Sequence, residues 1–416
     1  MAREKTEKIK NIKAVSPGKL RNWLTFFQLI TSAVAVYSTQ PEYRFTVMVL
    51  FILLIVVEWV TCFVFCKVMG RKNFELETIA FFLSGVGLTA LSVTYPKYMQ
   101  VQFLSMVAGI IFYAVLLFFL QNLEFARKFK IPVVIGALGL LGLNLVLAKN
   151  TFGAYNWIEI GSFTFQPSEF VKIAFIFIGA ATLEKIQSTK HLTGYIIFSM
   201  ACIGALFLMR DFGTACIFFF TFLVIAFMRS GDWKTILMIC GAAVLGACII
   251  ISFKPYVAKR FAAWGHVWEQ MNEAGGYQQT RTLIAMSSGG FLGVGFGNGK
   301  LKSVAASTTD LMFGVVCEEW GLLFGMIILA AIGGIAVYTI ANAGGSRSSF
   351  YSIAACAAAG LFVFQTCLNV FGITDILPLT GVTLPFVSRG GSSMISSWGL
   401  LAFIKAIDIR TYPKRK

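Results

Sequence analysis

Long apolar runs separated by short polar connections dominate the chain from about residue 23 onward. A helix needs roughly 20 mostly apolar residues to cross a bilayer. On that measure the pattern predicts about twelve transmembrane helices, at 23–40, 45–68, 75–94, 100–121, 131–148, 169–186, 192–209, 213–229, 235–253, 311–340, 350–372 and 392–408. The runs at 23–40 and 169–186 carry the weakest apolar signal. The expected fold is an all-α polytopic membrane protein. Three connections are richer than a turn requires: Lys149 to Glu169, a large loop at 254–310, and Ile373 to Ser393, where Pro378 and Pro385 break any helix. Polar, Gly- and Pro-interrupted backbone gathered on one side of a bundle points to a cavity opening there.

Composition agrees with the pattern. The 416 residues are 57% hydrophobic and 13% charged, against about 25% charged in soluble domains. The net charge of +16 suggests nucleic acid until its placement is considered. With the N-terminus inside, 23 of the 35 basic residues fall in the tails and short inner connections. Half of the other twelve lie in the 254–310 loop, and long loops are exempt from the positive-inside rule. Both termini are therefore expected in the cytoplasm, with basic tails at 1–21 and 409–416 against anionic lipid, and no nucleic acid is implied. No cleavable signal peptide is expected. The nine cysteines sit within or beside apolar runs and form no CxxC pair; Cys62 and Cys66 read as packing residues. With only His191 and His266 available, histidine-based metal or triad chemistry has little to draw on, and no metal ligands are assigned.

The stretch from Tyr277 to Gly321 stands out from its apolar surroundings. Its glycines, Gly289 to Gly299, are expected to form a mobile outer loop. They are no nucleotide loop, since the GK[ST] ending is missing and no strand precedes them. Asp310 is a lone acid just before an apolar run. As a helix cap it would be structural; as a desolvated carboxylate it would be a base. Glu169 and Lys172 share one helix face, as an ion pair or as cavity lining. Lys172, Arg210, Arg260, Arg281 and Arg389 are the outer cations able to meet a phosphate. Trp157 either anchors at the interface or stacks on a ligand. Glu318 and Glu319 lie about two turns beyond Asp310, and one of them is a candidate for sharing its site. Glu58, in the middle of an apolar run, must face protein.

Four motifs along the outer side resemble the SEDS family of bacterial membrane proteins, which includes FtsW, RodA and SpoVE. They are Trp157, Gly161, Gln166, Pro167, Ser168, Glu169 and Lys172; then Arg210 to Ala215, around Asp211 and Gly213; then Tyr277, Gln278, Ser288, Thr309, Asp310, Glu319 and Gly321; and Pro378 to Ser393, with Ser388, Arg389, Gly390 and Ser392. The resemblance covers roughly Phe81 to Ile407. It implies a ten-helix core at 73–408, so that 22–72 forms two added N-terminal helices. Arg389, Arg210 and Val294 depart from the residues common at those places, which leaves the choice among division, elongation and sporulation open.

The resemblance further implies a peptidoglycan glycosyltransferase of the bacterial cytoplasmic membrane. Its substrate would be lipid II, a disaccharide-pentapeptide on undecaprenyl pyrophosphate, and its partner a class B penicillin-binding protein. It implies Asp310 as the catalytic base. Trp157, Gln166, Ser168, Glu169, Lys172, Asp211, Arg260, Gln278, Arg281, Glu319, Ser388, Arg389, Gly390 and Ser392 would line the substrate site. Whether a divalent cation assists at the pyrophosphate stays open. The other readings are a flippase or transporter of the same lipid-linked precursor, and a non-catalytic scaffold.

Overall fold

The computed structural model describes residues 16–70, 72–151, 154–160, 163–183, 189–234, 237–241, 263–273 and 276–412. Helices account for nearly all of it. Before the first large polar connection come α1 (Pro17–Ser38), α2 (Arg44–Met69), α3 (Glu75–Thr94), α4 (Met99–Gln121), the short α5 (Leu123–Lys128) and α6 (Lys130–Leu147). Then follow α7 (Pro167–Leu183), α8 (Thr189–Leu208), α9 (Phe212–Ser230), α10 (Tyr277–Gly289), α11 (Met312–Trp320), α12 (Leu322–Ala343), α13 (Ser349–Ile373) and α14 (Gly391–Ile407).

Seven described helices are long and apolar enough to cross a bilayer, and α8 and α14 contain shorter apolar stretches. The expected count of twelve is not confirmed: beside the runs that form α8 and α14, three more are not among the seven, and a fourth is interrupted. The run at 235–253 lies mostly outside the described residues. The runs at 23–40 and 169–186 do form helices, α1 and α7, but neither is among the seven. The run at 311–340 is broken: α11 ends at Trp320 and Gly321 turns the chain at φ +89° before α12 begins. Two adjacent carboxylates, Glu318 and Glu319, occupy the broken half, where uninterrupted lipid exposure would be costly.

The first of the three rich connections, after α6, contains a small antiparallel sheet of β1 (Lys149–Thr151), β2 (Ala154–Ile160) and β3 (Phe163–Phe165) in the order β1-β2-β3. Lys149 pairs with Trp157, and Ile158 with Phe165. Aromatic and β-branched residues along β2 favour this pairing.

The interior of the bundle is aromatic. Trp398 of α14 is fully buried, with its ring 5.0 Å from Phe81 of α3, 6.0 Å from Tyr113 of α4 and 5.9 Å from Phe386. Phe220 of α9 stacks on Phe364 of α13 at 4.2 Å. Phe27 of α1 lies 5.5 Å from Phe82 and 6.0 Å from Phe324, which ties the first helix to α3 and α12. Glu58 is 1% exposed beside Gln28 of α1, so it faces protein as its depth in the membrane requires.

One end of α14 carries a dense polar cluster. Lys405 pairs with Glu77 at 2.9 Å, both essentially without exposure, and Tyr113 donates to the same carboxylate. Just beyond, Asp408 accepts hydrogen bonds from Asn73, Tyr338 and Arg410. The other end of α14, about 25 Å away at 1.5 Å per residue, leads to the candidate site.

Candidate active site

Asp310 ends an irregular turn in which Ala306 has φ +62° and accepts hydrogen bonds from the backbone N–H groups of Thr309 and Leu311. The acid does not cap α11: Leu311 holds the N-cap position and no side chain caps it. The capping interpretation therefore gives way to one in which the carboxylate is free for other work. The turn is fastened from several elements. Arg389 N–H donates to Thr308 O at 2.8 Å, and the Ser388 hydroxyl donates to Thr309 O. Asn369 of α13 donates to Asp310 O at 2.8 Å and to Val382 O at 2.6 Å. Gln278 of α10 donates to Ala305 O at 3.1 Å.

Asn369 thereby joins the Asp310 turn to the segment between α13 and α14. That segment passes so near that a Cβ on Gly381, itself at φ +72°, would sit 3.3 Å from the Asp310 carboxylate. Glycine is needed here both for the left-handed backbone and for the approach. Burial raises the Asp310 pKa to about 6, with the negative charge of Asp211 adding to the effect and the Thr309 side chain opposing it. A half-buried carboxylate with that pKa is largely ionised at neutral pH and a stronger base than an ordinary aspartate.

Asp211 is the N-cap of α9 and accepts from Thr214 N–H at 3.1 Å. Its other oxygen accepts from Asn156 of β2 at 3.0 Å and from Gln166 at 3.3 Å, and Gln166 N–H donates to the Ser392 hydroxyl at 3.0 Å. The sheet, the start of α7, the start of α9 and the start of α14 are thus tied together around one carboxylate. Gln102 of α4 holds the remaining side: it donates to Ser388 O and accepts from Gly390 N–H, each at 3.1 Å. Trp157 is half-buried on β2 opposite Lys149.

Not every expected residue lies at this opening. Lys172 is 2% exposed, paired with Glu169 at 2.8 Å and hydrogen-bonded to Gln365 at 3.1 Å, while Ser396 donates to Glu169. This is a buried pair inside the bundle, with no open ammonium for a phosphate. Ser168 is fully buried, its hydroxyl without a partner among the described residues. Glu319 faces the glycine-rich loop instead of Asp310. The same loop is not free: Val294 N–H bonds Glu318 O, Gly295 N–H bonds Glu319 O, and the Glu318 carboxylate accepts from the N–H groups of Lys300 and Leu301. A Cβ on Gly293, at φ +84°, would come 2.3 Å from Glu319 O. The glycines let a loop dock tightly on α11, and the expected mobile lid is replaced by a fastened one. Arg281 is exposed and lies 5.2 Å from the Tyr277 ring, and Arg210, at φ +61°, lies 5.6 Å from the Tyr155 ring. Arg260 lies outside the described residues.

Asn369, Gln365, Gln102 and Asn156 complete the site and were not singled out by motif. Three of them carry a visible sign, since an amide inside an apolar run must find a partner. Among the described residues no group of three or more His, Cys, Asp or Glu side chains converges as a metal site.

The model of the FtsW/RodA/SpoVE family, described as "Cell cycle protein", matches residues 79–412. The chain is similar to a probable peptidoglycan glycosyltransferase FtsW of Buchnera aphidicola subsp. Acyrthosiphon pisum, 32% identical over 72% of this chain and 79% of that protein. Among solved structures it is similar to a chain of a peptidoglycan synthase complex that coordinates polymerization and crosslinking, with TM-score 0.67, 24% identity, and 82% of this chain and 99% of that one covered. It is also similar to the rod shape determining protein RodA of Thermus thermophilus, with TM-score 0.60, 23% identity, and 80% and 95% covered. These two likenesses support the fold. The family match takes in every described element of the site, from Gln102 to Ser396, and leaves α1 and α2 outside it. The chain belongs to the FtsW/RodA/SpoVE family.

Proposed function

We propose that this protein is a peptidoglycan glycosyltransferase that polymerises lipid II at the outer face of the bacterial cytoplasmic membrane, with Asp310 as its general base. Family membership and relatives named peptidoglycan glycosyltransferase support the activity. The observation that carries the mechanism is the Asp310 carboxylate: uncapped, desolvated and held by four hydrogen bonds to its turn from α10, α13 and the segment before α14.

Asp310 takes the proton of the attacking sugar hydroxyl of one substrate molecule. The hydroxyl oxygen bonds to the anomeric carbon of the other. The bond from that carbon to the pyrophosphate oxygen breaks, and its electron pair leaves with undecaprenyl pyrophosphate. The leaving group is already good, so the protein's main tasks are proton removal, positioning and charge stabilisation. Asp211 keeps its own hydrogen bonds and acts as the fixed negative neighbour that helps keep Asp310 basic. Glu169 and Lys172 hold α7 against α13 and α14 beneath the site.

The protein is a multi-pass membrane protein, and in this reading both termini are cytoplasmic and the Asp310 end of α14 faces outward. A class B penicillin-binding protein is the proposed partner, in keeping with the structural likeness to a complex that couples polymerization to crosslinking. The helices α1 and α2 are proposed as an addition to the family core. Purified protein supplied with lipid II tests the reading. Glycan chains that disappear with Asp310→Asn support it, whereas lipid movement that survives that change with no polymer formed refutes it.

A further inference from the structure

The turn between α3 and α4 carries a group of side chains that the mechanism has not used. Lys97 Nζ lies 4.9 Å from the centre of the Tyr98 ring, and the Arg389 guanidinium carbon lies 4.1 Å from the same ring. The two cations are thus within about 9 Å of each other. Neither forms an ion pair with a carboxylate among the described residues. Tyr98 is partly exposed, and Lys97 is exposed. Arg389 is fixed by its backbone, whose N–H donates to Thr308 O two residues before Asp310. Tyr95, whose ring is 6.2 Å from that of Tyr98, donates to Lys302 O and so ties this turn to the loop before Asp310.

Two like charges over one aromatic ring repel each other, and the ring quadrupole offsets only part of that repulsion. An anion with at least two charges between them relieves it. Two other cations around the site are already paired with carboxylates: Lys172 is buried with Glu169, and Lys149 pairs with Glu159 at 2.7 Å, while Arg281 stands alone over the Tyr277 ring with no second cation beside it among the described residues. We infer that Lys97, Tyr98 and Arg389 form the seat for the pyrophosphate of the lipid-linked donor, beside the Asp310 turn. The inference rests on the proposed polymerase reading and gives it a leaving-group site. As the glycosidic bond breaks, charge builds on the pyrophosphate, where a guanidinium fork and an ammonium are most effective. Tyr98 holds the two cations in place and supplies a flat surface beside them.

Binding to the purified protein in phosphatidylcholine nanodiscs tests this directly, with undecaprenyl pyrophosphate and undecaprenyl monophosphate as probes. The unaltered protein is expected to prefer the pyrophosphate. Lys97→Gln with Arg389→Gln is expected to weaken pyrophosphate binding by about tenfold or more and to weaken monophosphate binding by less, so that the preference is lost. Arg389→Lys, which keeps the charge, is expected to retain most of the preference and shows that the turn still folds. Equal affinity for both lipids, an unchanged double variant, or displacement of the pyrophosphate lipid by phosphatidylglycerol at comparable concentration overturns the site. Polymer formation by the unaltered protein is measured alongside. Polymer without the preference sinks only this site, and the preference without polymer sinks only the polymerase reading.

Discussion

Replacing Asp310 by Asn is expected to make the protein more stable at neutral pH while removing its activity. Burial lifts the Asp310 carboxyl from an ordinary value of 3.8 to about 6 in the folded protein. Between those two values the folded state holds the proton and the unfolded chain has lost it. Stability from this group is therefore complete below about pH 3.8 and declines as pH rises through the window. Above about pH 6 the folded state bears an ionised, desolvated carboxylate. At about 1.36 kcal/mol per pH unit, a window of about 2.2 units corresponds to about 3 kcal/mol. The side chain is only half-buried, so solvent screening reduces this to about 1–2 kcal/mol. Asparagine keeps the shape and removes the charge. Thermal unfolding of the two proteins in the same detergent checks the reasoning: the variant is expected to melt higher at pH 7.5, with the gap narrowing to about a third by pH 4.5 and closing near pH 3.8. A variant that is less stable at pH 7.5, or a gap that does not depend on pH, would refute the claim that Asp310 is held ionised against its surroundings.

Other substitutions bear on the supports of the site. Gly381→Ala places a methyl group 3.3 Å from the Asp310 carboxylate at φ +72°, a backbone penalty of about 1–2 kcal/mol; polymer yield is expected to fall several-fold while the protein still purifies as a folded monodisperse species. Asn369→Ala removes both bonds that link Asp310 O to Val382 O, leaving buried carbonyls unpartnered at about 1–3 kcal/mol each; steady-state kinetics should show a lower kcat with little change in KM. At the far end of the bundle, Glu77→Gln strands the Lys405 ammonium and is expected to destabilise by about 3–5 kcal/mol. Combining it with Lys405→Met should recover part of that loss in a thermal unfolding series.

Much of this architecture can be read from the chain, because a bilayer imposes length and polarity on every crossing segment. The segments and the side on which the unusual connections gather follow from that constraint. Hydropathy does not show the break at Gly321, where apolar residues continue on both sides of a glycine with positive φ; Glu318 and Glu319 are the residues that betray it. The sheet of β1 to β3 is hidden for a similar reason, since its short strands lie between two long helices and share their aromatic content. Asp310 is legible as a lone acid at a boundary, but its freedom from the capping role depends on Leu311 and on a turn built from distant segments. The pairing of Lys405 with Glu77 spans 328 residues and leaves no local sign. Lys172 has the right charge for a phosphate, and only the fold shows that Glu169 and Gln365 enclose it.

The account turns on one carboxylate acting as a base, and the pH dependence of lipid II polymerisation by the purified protein measures that most directly. The predicted rate falls on the acid side with a midpoint near the Asp310 value of about 6 and is absent at every pH in Asp310→Asn. Polymerisation by Asp310→Asn at a rate comparable to the unaltered protein, with the same acid limb, would contradict it.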